Sequence, residues 1–173
     1  MVSPFYTAEH EAYREVVRRF VEKEIEPYAH EWDEAGGFPR QLYQKAAEIG
    51  LLGLGFPEEY GGTEVDNFMW IVAVQELARA GAGGVSASLK SNSIGAPPIA
   101  RAGTPEFKAR VLPEILSGSK ISALAITEPS AHRRCRSRWR QPSGDRGRHA
   151  RAVADTVEEN GLVGVGYRDP AFR

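Results

Sequence analysis

The 173-residue chain has one cysteine, Cys135, and two methionines. A single thiol cannot close an internal disulfide or supply the paired cysteines of a structural zinc site. No stretch approaches the roughly 20 uncharged apolar residues that a bilayer crossing requires, so no membrane association is expected. Glu9, Glu11 and Glu15 stand where a secretory signal would be basic and then apolar, and transit peptides avoid acids. The expected compartment is the cytoplasm. Phosphate-cradling patterns are lacking too: no Gly-x-Gly-x-x-Gly follows a strand-like run, and there is no phosphate loop.

Charge and apolar residues are distributed unevenly. With 42% hydrophobic and 26% charged residues, most of the chain can bury a core. The net charge of −1 conceals a split. Residues 1–131 hold 12 basic and 18 acidic side chains, whereas residues 132–151 hold 8 arginines and one acid, Asp145. Residues 152–173 return to a small acidic excess.

The first 118 residues read as successive helices. Thr7 can cap a helix in which Tyr13, Val16, Val17, Phe20, Val21 and Ile25 share one face, and Pro27 ends or kinks it. Pro39 opens a second helix, carrying Leu42, Ala46 and Ile49 and closed by Gly50. A glycine-punctuated loop runs from Leu51 to Gly62. Asp66 then caps a third helix through Phe68, Ile71, Val72, Val74 and Leu77 to Gly81, which with so few polar interruptions should be the most buried. Residues 85–102 are weakly helical, with Pro97 and Pro98 opening a short helix that ends at Gly103. Thr104 and Pro105 form a cap with proline at N1, and Pro113 should break the helix that follows.

The period changes at Ser119. Ile121, Ala123 and Ala125 alternate with Ser122, Leu124 and Ile126, and Pro129 stops the ladder, so residues 119–127 read as a strand. A helical domain feeding a strand implies the start of a second domain. Residues 132–149 contain no Val, Ile, Leu or Phe and cannot build it, and residues 150–173 show little periodic order.

No catalytic motif stands out by spacing. His10, His30, His132 and His149 read as ordinary solvated histidines, and the acids of the first helix as a solvated surface.

Several separated segments, in order, resemble the acyl-CoA dehydrogenase family: the opening FVEKEIEPYAHEWDEAGGFPRQLYQKAAEIGLLGL, PEEYGG at Pro57 to Gly62, GAPPI at Gly95 to Ile99, and ALAITEPSA at Ala123 to Ala131. The resemblance covers about residues 5–131. It implies a mainly α chain, with an N-terminal helical domain over residues 1–118 and the first strand and turn of a flavin-binding β-barrel domain over 119–131. Residues 132–173 are expected to be an Arg-rich tail, poorly ordered or out of frame.

The implied reaction is α,β-dehydrogenation of an acyl-CoA thioester with FAD, electrons passing to an electron-transferring flavoprotein, in a homo-oligomer. Flavin contacts fall on positions matching Leu124, Ile126 and Thr127, where backbone amides and the threonine hydroxyl would face the polar edge of the ring. The resemblance assigns no catalytic residue and no metal ligand here. The family continues with Gly-Ser-Asp where this sequence has His132, Arg133 and Arg134. The resemblance therefore implies a truncated chain without activity of its own, as a reading-frame shift after residue 131 would produce.

Two other readings stay open at this stage. Eight arginines with Trp139 could bind nucleic acid, although the rest of the chain is acidic and carries no nucleic-acid-binding fold. A non-catalytic helical association module is the other.

Overall fold

The computed structural model describes residues 4–125, 154–159 and 162–167. Ile126, Thr127 and the Arg-rich segment lie outside the described residues.

Helix α1 spans Ala8–Glu24 and is capped by Thr7, as its sequence predicts. The box has an unusual third member. Thr7 Oγ1 accepts the His10 amide at 3.4 Å, and His10 Nδ1, where Glu or Gln is usual, accepts the Thr7 amide at 2.9 Å. His10 is thus no solvated surface histidine: it is 5% exposed, and its Nε2 lies 2.9 Å from Asp66 Oδ1. With Nδ1 engaged as an acceptor, the neutral ring carries its proton on Nε2 and donates it to Asp66. Asp66 in turn caps α4 (Asn67–Arg79), accepting the Met69 amide at 3.0 Å. One imidazole therefore joins two helix N-termini through a bond between residues 56 apart.

His10→Ala should lower unfolding stability by about 2 kcal/mol, because both the cap and the Asp66 bond are lost. Chemical denaturation provides the measurement, and a change below roughly 0.5 kcal/mol would show the imidazole to be dispensable.

Pro27 ends α1 as expected, but the chain then makes a 3-10 turn at Glu26–Tyr28 and a further helix, α2 (Ala29–Ala35), that the apolar pattern did not reveal. Helix α3 covers Gln41–Glu48, α5 Gly83–Leu89, α6 Asn92–Ala102 and α7 Pro105–Leu116. Two proline expectations fail. Helix α6 begins at Asn92 and runs through Pro97 and Pro98, and α7 runs through Pro113. Each proline removes one backbone bond, but Ala96 and Ile99 in α6, and Val111, Leu112 and Ile115 in α7, are almost completely buried. Packing of those faces outweighs the lost donors.

The core has two parts. The larger joins α1, α3, the Leu51–Leu54 stretch, α4 and α5, and the smaller joins Phe56 to α6 and α7. Helix α4 packs along α1 but is not buried all round: Phe68, Ile71 and Val74 are 38%, 43% and 37% exposed. A helix apolar on every side still needs neighbours on every side, and among the described residues α4 has them on one. Gly62 of PEEYGG is required for space, since a Cβ there would lie 2.3 Å from the Phe56 carbonyl oxygen.

Strand β1 covers Ile121–Ala125, inside the span read from alternation. Two further strands, β2 (Ala154–Glu159) and β3 (Leu162–Tyr167), occur where the sequence suggested little order. The sheet order is β1-β3-β2. β3 pairs antiparallel with β2 and parallel with β1, aligning Ile121 with Leu162 and Leu124 with Val165. The Val-Gly alternation of β3 and the acids of β2 dilute the apolar signal that ordinarily marks a strand.

Candidate functional site

The described part of the segment expected to contact flavin is β1, and three consecutive anchors fix its start on the helices. Gly118 turns the chain out of α7 at φ +74, with a would-be Cβ only 2.5 Å from the Tyr43 carbonyl oxygen of α3. Arg40 Nη2 donates to the Ser119 carbonyl at 2.8 Å. Lys120 donates its amide to the Glu114 carbonyl at 2.9 Å, and its ammonium meets the Glu114 carboxylate at 2.9 Å.

The fourth anchor is buried. Asn92, at the start of α6, accepts the Ser122 amide at 2.9 Å and the Ser122 hydroxyl at 3.1 Å through Oδ1. Its Nδ2 donates to the Ile115 carbonyl of α7 at 3.3 Å. Asn92 is 2% exposed and Ser122 is fully buried, so in this dry environment each unmade bond would leave a costly orphan. A cavity of about 10 Å³ beside Asn92, lined by Leu52, Trp70, Ala73, Leu89 and Lys90 among others, has room for about one water molecule.

This contact also orients the strand. The Ser122 amide ends on Asn92 and so leaves β1 on the edge away from β3. Amides of alternate residues share an edge, which puts the Leu124 amide on that same side. Among the described residues, β3 is the only strand that pairs with β1.

Of the three residues predicted to contact flavin, Leu124 therefore sits in β1 with its amide on the unpaired edge, while Ile126 and Thr127 lie outside the described residues. Sequence reasoning missed Asn92 and Ser122. The only available signal was a lone asparagine just ahead of the GAPPI segment. Among the described residues, no group of three His, Cys, Asp or Glu side chains could hold a metal ion.

A charged cluster lies elsewhere, on the α1–α4 interface. Glu76 is 3% exposed and accepts from Arg14 Nη1 at 3.2 Å and from Arg18 Nε at 3.1 Å, with Arg79 at 3.4 Å. Burial alone would raise its carboxyl pKa, but the hydrogen bonds from Arg18 and Arg14 prevail and hold it below the ordinary carboxylate value. All of its partners are its own helices, which makes the cluster structural.

Comparison with known proteins agrees with this architecture. Residues 7–119 match the family described as acyl-CoA dehydrogenase, N-terminal domain. The chain is 37% identical over 158 residues to the 3-(aryl)acrylate reductase of Clostridium sporogenes, covering 91% of this chain and 38% of the relative. Among solved structures, an acyl-CoA dehydrogenase described as putative, from Mycobacterium smegmatis, superposes with a TM-score of 0.69 at 47% identity, over 74% of this chain and 34% of that one. The Bacillus anthracis acyl-CoA dehydrogenase complexed with FAD gives 0.62 at 32% identity, over 75% and 22%. The chain thus spans little more than a third of its relatives' length at most. With seven helices in the described region, a strand clamped to them and a family match across residues 7–119, the chain belongs to the acyl-CoA dehydrogenase family.

Proposed function

We propose that this chain supplies the helical domain, residues 1–118, and the first strand and turn of the flavin-binding β-domain, residues 119–131, of an FAD-dependent enzyme that dehydrogenates acyl-CoA thioesters. The observation that carries the reading is the edge of β1 away from β3, on which no described strand pairs and on which the Leu124 amide lies. A donor there suits the polar rim of an isoalloxazine ring, where negative charge accumulates on reduction. When bound, FAD would supply the hydride acceptor for oxidation at the β-carbon.

The chain's own part is to hold donors still. The helices fix the start of β1 and its edge presents the Leu124 amide; Ile126 and Thr127, which follow in the sequence, are the other proposed flavin contacts. An electron-transferring flavoprotein is the proposed electron acceptor, and a homo-oligomer the proposed assembly.

Titration of FAD with the purified chain tests the reading through flavin fluorescence. Saturable quenching is expected, with a Kd weaker than about 1 μM because the strand offers only some of the contacts a flavin can use. Thr127→Ala should weaken it further. Unsaturable quenching, identical in both proteins, would remove the basis for a flavin role.

A further inference from the structure

We propose that Asn92 is a positioning residue for the flavin-facing strand, acting as a plug on the edge of β1. The inference rests on the function proposed above. Its own basis is a juxtaposition: the amide of Ser122 and the amide of Leu124 leave β1 on the same edge, and Asn92 occupies the first of these two places.

An unpaired strand edge offers its donors to any acceptor, including another strand. Asn92 meets that exposure at one point only. Its Oδ1 takes both the amide and the hydroxyl of Ser122, at 2.9 and 3.1 Å, and its Nδ2 is tied to the Ile115 carbonyl at 3.3 Å. The side chain therefore has no freedom to turn away, because rotation would break bonds to two different elements. Ladder growth is blocked at Ser122, and the next donor along the edge, two residues on, meets no strand among the described residues. In a strand those two amides lie roughly 7 Å apart, so fixing the first fixes the second to within the stiffness of one dipeptide.

The arrangement distinguishes positioning from simple packing. An apolar residue of similar size at position 92 could fill the volume, yet it would leave the Ser122 amide, the Ser122 hydroxyl and the Ile115 carbonyl without partners. Aspartate would keep both acceptor bonds to Ser122, at the cost of setting a buried carboxyl oxygen against the Ile115 carbonyl.

Residue-resolved amide hydrogen exchange on the full chain is the test, with Asn92→Leu and Asn92→Asp alongside the wild type. In Asn92→Leu, the Ser122 amide should exchange at least tenfold faster while Val17, Val21 and Val72 in α1 and α4 keep their protection. Asn92→Asp should restore most of the protection at Ser122. Equal protection at Ser122 in all three proteins overturns the proposal, and so does a loss spread evenly over α1 and α4, which would mark a purely structural role. Should Asn92→Leu not fold, Asn92→Asp against Asn92→Ala decides: faster exchange at Ser122 in Asn92→Ala, but not in Asn92→Asp, supports the plug, and equal protection in both overturns it. FAD titration of the same proteins separates the two readings. Wild-type binding weakened about tenfold in Asn92→Leu supports positioning, and equal binding overturns it. A wild type that binds no FAD refutes the proposed function, while the exchange data still decide whether Asn92 fixes the strand.

Discussion

Glu76→Leu is expected to destabilise the helical domain by about 3 kcal/mol, lowering its melting temperature by roughly 10 °C. The substitution takes from Arg14, whose side chain is only 13% exposed, its buried carboxylate partner and leaves the guanidinium to the more exposed Glu11 and Gln75. Arg18 and Arg79 are more exposed and can turn to water, which keeps the loss near the lower end for a broken buried pair. Replacing Arg14 by methionine in the same protein should recover much of it, because two apolar side chains then meet across α1 and α4.

The acid dependence has a definite sign. The Glu76 carboxyl is held below its ordinary value of 4.5, so the folded state favours the ionised form. Its contribution is complete above that value and disappears as pH falls through the lower folded-state pKa. The gap between wild type and Glu76→Leu should therefore narrow as unfolding is measured at successively lower pH below about 4.5. A gap that stays constant down to pH 2 would mean that the ion cluster contributes little.

Gly118→Ala should be of similar size, about 3 kcal/mol, for two reasons that act together. A φ of +74 costs an L-residue roughly 1 kcal/mol, and the new methyl would lie 2.5 Å from the Tyr43 carbonyl oxygen, an overlap the backbone of α3 must yield to at a further 1–3 kcal/mol. Denaturant midpoints measure the loss, and the neighbouring Ser117→Ala serves as a control expected to change little. If Gly118→Ala matched that control, the approach of α7 to α3 would be looser than the geometry shows. Since the same turn launches β1, the alanine variant should also increase exchange at Ser122.

What could be read from the sequence was local. Thr7, Asp66 and Thr104 announce their helices because a cap is an interaction over three residues, and each of them accepts the amide expected of it. The resemblance carried by PEEYGG, GAPPI and ALAITEPSA located the family, and alternation located β1. What escaped depends on contacts between distant residues. Glu76 interrupts an apolar run, and nothing near it marks its role, because the arginines that pair with it stand about sixty residues earlier. His10 occupies the place of an ordinary capping residue, and nothing near it signals Asp66. Asn92 needed both α7 and β1 to acquire a role. The prolines misled in the opposite direction: Pro97, Pro98 and Pro113 are local breakers whose effect was overridden by buried faces of α6 and α7. The open side of α4 followed the same logic, since hydrophobic composition records what a helix could bury and not which neighbours are there to bury it.

The imidazole shared by the first turns of α1 and α4 makes their fraying a joint event. Unwinding either beginning strips a hydrogen-bond partner from the other, so neither end can open at the modest expense usual for a helix terminus. Remote stretches of polypeptide thereby acquire a common latch, and the loose first turn of each helix becomes a point at which this bundle is closed.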